Sequence, residues 1–99
     1  MWTLVEGVTL ANRLEKSLKA NGFHCALGGS VLHSGASTKD LDIFVYPHTT
    51  QDERPWSDAE EILTECGCEL VRVCKHKYDN KRVREYKYAG KRIDFFFVK

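Results

Sequence analysis

Two aspartates one residue apart, Asp40-Leu41-Asp42, sit in a run that reads as a β-strand, and a third, Asp94, stands between Ile93 and Phe95 in another. The strand period of two sends Asp40 and Asp42 to the same side, with Cβ atoms about 6 to 7 Å apart. Asp94 is flanked by apolar residues, where an unpaired charge costs several kcal/mol. Carboxylates about 4 Å apart, at an effective dielectric of about 20, repel by about 4 kcal/mol per pair, so converging acids need protons or divalent cations. Magnesium suits them best, because it takes hard oxygen ligands and bridges carboxylates to the phosphates of a nucleotide. Upstream, Gly28-Gly29-Ser30 falls between a strand and a predicted helical turn over 30–34. Backbone N–H groups and a hydroxyl at such a point can face phosphate oxygens.

Those residues need a frame. Between Leu4 and Ala20, Val5, Val8, Ala11, Leu14 and Leu18 recur at helical spacing while Asn12, Arg13, Lys16 and Lys19 fall on the other side. This predicts an amphipathic helix, closed by Asn21-Gly22. Phe23 to Leu27 is a short apolar run suited to a buried strand, and Gly28-Gly29 allows a tight turn. Leu41 to Tyr46 reads as a strand with Leu41, Ile43 and Val45 on one face and Asp40, Asp42 and Phe44 on the other; Pro47 ends it. After a polar loop over 47–56, Ser57 and Glu60 make a capping box for a helix through Glu65, and Gly67 stops it. Runs rich in β-branched and aromatic residues at Cys68–Cys74, Val83–Tyr88 and Arg92–Val98 predict three strands, the last two joined as an antiparallel hairpin across Ala89-Gly90-Lys91. The order predicts the α+β class, a mixed β-sheet of about five strands with two helices on one face. At 99 residues this makes a single domain spanning 1–99.

The order of these pieces resembles the DNA polymerase beta superfamily of nucleotidyltransferases. Its signature is a hydrophobic residue, Gly, Gly or Ser, a spacer, then Asp-h-(Asp/Glu)-h, where h is hydrophobic. Here that reads Leu27-Gly28-Gly29-Ser30, the nine residues 31–39, and Asp40-Leu41-Asp42-Ile43. Lys91-Arg92-Ile93-Asp94-Phe95 is similar to the strand that carries the family's third carboxylate. The likeness spans residues 23–98, and the short length looks like minimal nucleotidyltransferases of bacterial or phage type. It implies a nucleotidyltransferase-like fold and an enzyme that moves a nucleoside monophosphate from ATP or another NTP to an acceptor, with two Mg²⁺ or Mn²⁺ ions and release of pyrophosphate. The acceptor stays open between RNA, a protein and a small molecule. By this resemblance Asp40 and Asp42 bind both ions, and Asp94 binds the catalytic ion and helps deprotonate the attacking hydroxyl. Gly28, Gly29 and Ser30 hold the phosphates. Many relatives place Arg or Lys in the turn after Gly-Ser, where this chain has Val31, Leu32 and His33. His33, Lys39 and Arg92 are therefore the candidate substitutes in nucleotide binding. The helical module that usually holds base and acceptor has no counterpart in these residues, which implies a cleft completed by a homodimer, a partner chain or the acceptor.

Composition limits the rival readings. Hydrophobic residues make up 42% and charged residues 29%, ordinary globular values that exclude a fibrous repeat or a disordered tail. No apolar run approaches the roughly 18 residues that span a bilayer, and Met1 to Leu10 lacks the regions of a signal peptide, so the expectation is a cytoplasmic protein without a membrane partner. Cys25, Cys66, Cys68 and Cys74 are unevenly spaced and predict free thiols. With His76, the last three form a pattern unlike the usual structural-zinc spacing. The net charge of +1 hides a split: residues 1–71 hold five Lys or Arg against eleven Asp or Glu, and residues 72–99 hold ten against three. Such a basic part can meet phosphate, or the two parts can neutralise one another. Phe44, Phe96 and Val98 share strand faces with the acids, and Arg84, Tyr86 and Tyr88 alternate along the hairpin. This predicts a basic, aromatic surface able to stack a base or single-stranded nucleic acid, with plain core packing as the alternative. Trp56 reads as a loop anchor. Two further readings follow: a binding or inhibitor protein whose catalysis has lapsed, and a small nucleic-acid-binding domain working through the basic hairpin.

Overall fold

A computed structural model of the chain describes residues 2–28, 40–48, 56–74 and 81–98. Helix α1 (Leu4–Lys19) is started by a capping box: Thr3 Oγ1 accepts the Glu6 N–H at 3.2 Å, and the Glu6 carboxylate accepts the Thr3 N–H at 3.1 Å. Its buried stripe is Gly7, Leu10, Leu14 and Leu18. Val5 and Val8, predicted for that stripe, are 75% and 41% exposed. The phase explains the correction, because Val5 and Leu14 lie two and a half turns apart at about 3.6 residues per turn and so point in opposite directions. At Gly7 a Cβ atom would stand 3.0 Å from Leu41 Cδ1, so the absent side chain lets the helix lie close to the sheet.

Five strands follow the expected order: β1 (Phe23–Gly28), β2 (Asp40–Pro47), β3 (Glu69–Cys74), β4 (Lys81–Tyr88) and β5 (Lys91–Val98), with α2 (Trp56–Glu65) between β2 and β3. They form one mixed sheet in the order β1-β2-β5-β4-β3, in which β2 and β5 run parallel and the other neighbours antiparallel. This is the α+β arrangement read from the sequence, with both helices feeding one core. Leu10, Leu14 and Leu18 of α1 and Ala59, Ile62 and Leu63 of α2 join Leu41, Ile43, Val45, Ile93, Phe95 and Phe97 in a single buried cluster.

Helix α2 begins one residue before the predicted cap, so Ser57 lies inside its first turn. Trp56 is the first helical residue and packs its ring against Phe23 and Phe97, at 6.0 and 5.4 Å between centroids, as part of the core margin. The β4–β5 turn is two residues long, since Tyr88 pairs with Lys91. Ala89 and Gly90 both have positive φ, 52° and 79°, the type I′ pattern whose twist matches the flanking strands. No helix among the described residues is long and apolar enough to cross a membrane.

Candidate active site

The two faces of the sheet separate by the alternation of β2 and β5. Leu41, Ile43 and Val45, with Ile93, Phe95 and Phe97, point into the helix-covered core. Asp42, Phe44, Asp94 and Phe96 therefore point to the other face, where they are half-buried. The parallel register sets Asp42 opposite Asp94 and Phe44 opposite Phe96. Adjacent strands lie about 4.8 Å apart, so two carboxylates 52 positions apart in the chain become immediate neighbours. Asp40 is in register with Arg92 at the start of the same strand pair; its side chain lies outside the described residues. Gly29, Ser30, His33 and Lys39 also lie outside them.

Gly28 ends β1 directly opposite Asp42. A Cβ atom there would fall 2.1 Å from Phe44 Cε2, so the Phe44 ring occupies the space that any other residue's side chain would need. Phe44 in turn lies 5.1 Å from Phe96, centroid to centroid, with ring planes 27° apart. The glycine thus lets an aromatic pair settle against the backbone beside the acids.

A residue that the sequence did not single out extends the acidic row. Glu85 of β4 is in register with Asp94, and Arg72 of β3 is in register with Glu85. Asp42, Asp94 and Glu85 thus stand on three adjacent strands. Arg72 Nε donates to Glu85 Oε1 at 3.0 Å. The Arg92 guanidinium reaches both neighbours: its Nη2 is 3.4 Å from Asp94 Oδ1 and 3.4 Å from Glu85 Oε1. Charge-assisted hydrogen bonds usually run about 2.7 to 2.9 Å, so Arg92 is shared between the two acids rather than locked to either. Its side chain is 40% exposed, against 15% for Asp94 and 12% for Glu85. From the opposite side Trp2, itself buried, donates its indole N–H to the Arg92 carbonyl at 2.8 Å and fixes the start of β5. Only the register of β4 against β5 reveals Glu85, because nothing in a run of alternating charged residues says which ones face the aspartates.

The same register overturns the predicted stacking surface on the hairpin. Arg84 and Tyr86 pair with Phe95 and Ile93, so they point into the helix-covered side. Arg84 is 8% and Tyr86 1% exposed. Arg84 forms an ion pair with Glu60 of α2 at 3.1 Å, and the Tyr86 hydroxyl donates to the same carboxylate at 3.3 Å. Burial, with the Glu60 charge beside it, pushes the Tyr86 phenol well above its ordinary value. Tyr88 stacks on Trp2 at 6.5 Å and accepts a hydrogen bond from Arg13 of α1. Lys91 pairs with Glu6, and that bond, with those from Thr3, holds the Glu6 carboxyl below its usual range. Arg84–Glu60 and Lys91–Glu6 show the basic end of the chain neutralising the acidic beginning. The base-stacking candidates left by the described geometry are Phe44 and Phe96. Cys25, Cys66 and Cys68 are free thiols.

Many solved structures share this arrangement, among them two of Cid1. One, Cid1 poly(U) polymerase with Mg and 3'-dATP bound, is 21% identical with a TM-score of 0.64. The other, Cid1 described for its RNA terminal uridylyl transferase activity, is 18% identical with a TM-score of 0.67. The fold is that of a nucleotidyltransferase. Each comparison covers 95% of this chain and 30% of the other, so the chain spans about a third of the length of these structures. The sequence matches no protein-family model, and no curated protein matches it.

Proposed function

We propose that this chain is a metal-dependent nucleotidyltransferase that moves a nucleoside monophosphate from an NTP to an acceptor. The observation that carries the reading is the parallel register that sets Asp42 beside Asp94 on the face that neither described helix covers. The likeness to Cid1 in fold supports it. Hard carboxylate oxygens are a donor set for Mg²⁺ or Mn²⁺. Asp40, Asp42 and Asp94 would hold two such ions, which when bound offset charge on the α-phosphate and the leaving pyrophosphate. Gly28, Gly29 and Ser30 offer N–H groups and a hydroxyl to the β- and γ-phosphates. Arg92, with His33 and Lys39, supplies positive charge to the triphosphate. Asp94 accepts the proton of the acceptor hydroxyl as its oxygen attacks the α-phosphorus in line and the bond to pyrophosphate breaks. The 99 residues act as one domain, with RNA, a protein or a small molecule as acceptor, and a second copy or a partner chain forms the far wall of the cleft.

The test combines binding and transfer. Mg²⁺ or Mn²⁺ raises the thermal midpoint of the wild-type chain, and Asp40→Asn with Asp42→Asn abolishes that rise. In metal-free buffer the same variant is neutral or slightly more stable, because carboxylate repulsion is gone. With α-labelled NTPs, Mn²⁺ and cellular RNA and protein, wild-type label transfer drops by at least about 100-fold in the variant. A full metal response in the variant would sink the site assignment. A second reading, a nucleotide-binding protein with lapsed catalysis, is favoured by the contact of Arg92 with Asp94; NTP binding without label transfer to any acceptor would establish it.

A further inference from the structure

Away from the acidic row, three side chains from three parts of the fold meet in a line. Glu15 of α1 contacts His24 of β1 at 2.5 Å between Oε1 and Nδ1. His24 Nε2 lies 2.7 Å from Nδ1 of His48, the residue after β2. The two imidazole rings are 26° from coplanar with centroids 4.8 Å apart, so they meet edge to edge with their nitrogens facing. Only one proton fits between those nitrogens. Glu15 fixes which one of His24 is free: its carboxylate accepts the Nδ1–H, which leaves the Nε2 lone pair aimed at His48. Glu15 is held in turn by the Cys25 N–H, which donates to Oε2 at 2.8 Å. Burial pushes the Glu15 carboxyl up, but the hydrogen bonds from Cys25 and His24 outweigh it and hold the group below its usual value.

We propose that His24 Nε2 and His48 Nδ1 form a second cation site, one that takes Zn²⁺, Ni²⁺ or Cu²⁺ in place of the proton between the rings, which His48 then carries on Nε2. A carboxylate behind a ligating histidine, fixing its tautomer and raising its basicity, is the usual outer shell of an imidazole–metal bond. Imidazole selects these ions over Mg²⁺, so the site is chemically separate from the carboxylates. Tetrahedral zinc with bonds of about 2.0 Å needs the two nitrogens about 3.3 Å apart, so they must part by about half an ångström and one ring must turn until both lone pairs meet at the ion. His48 can supply that movement, since it is exposed and follows the end of its strand, with its N–H on the Gly22 carbonyl at 2.7 Å. Its exposure also admits water to the remaining coordination positions. Cys25 is not a third ligand: its Sγ is turned to the Ala11 carbonyl at 3.4 Å, and burial pushes its thiol up to about 12. Among the described residues no group of three or more metal-binding side chains is arranged around one point, so this site rests on two protein nitrogens and solvent. His24 lies four residues along β1 from Gly28, which pairs with Asp42, and His48 lies two residues beyond the partner of His24, so the site is at least about 13 Å from the acidic row.

The experiment uses the full chain, free of any affinity tag and stripped of metal, in excess Mg²⁺. Calorimetry with Zn²⁺ shows one saturable event, and Cu²⁺ gives an electron paramagnetic resonance spectrum with hyperfine coupling to two imidazole nitrogens. His48→Ala, at an exposed position, abolishes both while the circular dichroism spectrum and thermal midpoint in metal-free buffer report that the variant is folded. Glu15→Gln weakens Zn²⁺ binding by about 10- to 100-fold. Asp42→Asn with Asp94→Asn leaves it unchanged, which keeps this result independent of the nucleotidyltransferase reading. Absence of saturable Zn²⁺ binding, or binding that survives in His48→Ala, would overturn the proposal.

Discussion

The two faces of the sheet are built from the same strands and differ in almost every physical respect. On the covered side β2 and β5 contribute six side chains, Leu41, Ile43, Val45, Ile93, Phe95 and Phe97, each with no exposed surface. On the open side the alternate positions carry Asp42, Asp94, Arg92, Phe44 and Phe96, all half-buried. One side is held by the removal of apolar area from water. The other holds like charges within a few ångströms, a cost borne by the core beneath and moderated by Arg92 and Arg72. Stability and chemistry are thus kept one residue out of phase along a single strand, and substitutions on the two faces should have different consequences.

The adjacent phenylalanines Phe95 and Phe96 test this most sharply. Phe95 is fully buried and meets Tyr86 edge-on at 5.2 Å. Phe95→Ala removes a core ring and leaves a cavity, a loss of about 3 to 5 kcal/mol in urea denaturation, enough to unfold a marginal domain. Phe96→Ala loses the contact with Phe44 at a half-exposed site, about 1 kcal/mol. Equal costs would show that the open face is as much a core as the covered one.

A smaller effect is expected at Gly28, where the open face meets the phosphate-loop motif. Gly28→Ala forces the Phe44 ring off the position where a Cβ atom would stand 2.1 Å from it, an overpacking cost of about 1 to 3 kcal/mol. Phe44→Leu in the same background recovers part of that loss, and a double-mutant cycle measures the coupling. If Gly28→Ala alone is neutral, the ring moves freely and the glycine serves something other than packing.

Much of this was legible in the sequence because the signals are local. Period-two alternation in β2 and β5 was enough to put Asp42 and Asp94 on the face opposite Leu41, Ile43, Phe95 and Phe97. What was not legible depends on register. Antiparallel pairing of Glu85 with Asp94 turns Arg84 and Tyr86 inward and brings Glu85 into the acidic row, and shifting β4 by one residue would reverse both. The phase of α1 failed for a related reason, since Val5 and Val8 match a helical spacing that Gly7 and Leu10 match better once the closest approach to the sheet is known. The Glu15–His24–His48 line joins a helix, an edge strand and a strand end, and no spacing within the chain announces it.

The smallest stability change and a distinct functional one are expected from Glu85→Gln. Glu85 now shares Arg92 with Asp94 at equal distances of 3.4 Å and also takes Arg72 at 3.0 Å. The variant loses ion pairs that are open to water on the arginine side but gains relief from the Asp94 charge, so its stability stays within about 1 kcal/mol of wild type. Without the competing carboxylate, Arg92 leans more heavily on Asp94, and a divalent cation has more of that contact to displace. The Mn²⁺ concentration for half of the thermal stabilisation therefore rises, while Arg92→Ala in the same background brings it back down. An unchanged midpoint in Glu85→Gln would show that Arg92 does not compete for Asp94, and that Glu85 and Arg92 are bystanders to the chemistry of the open face.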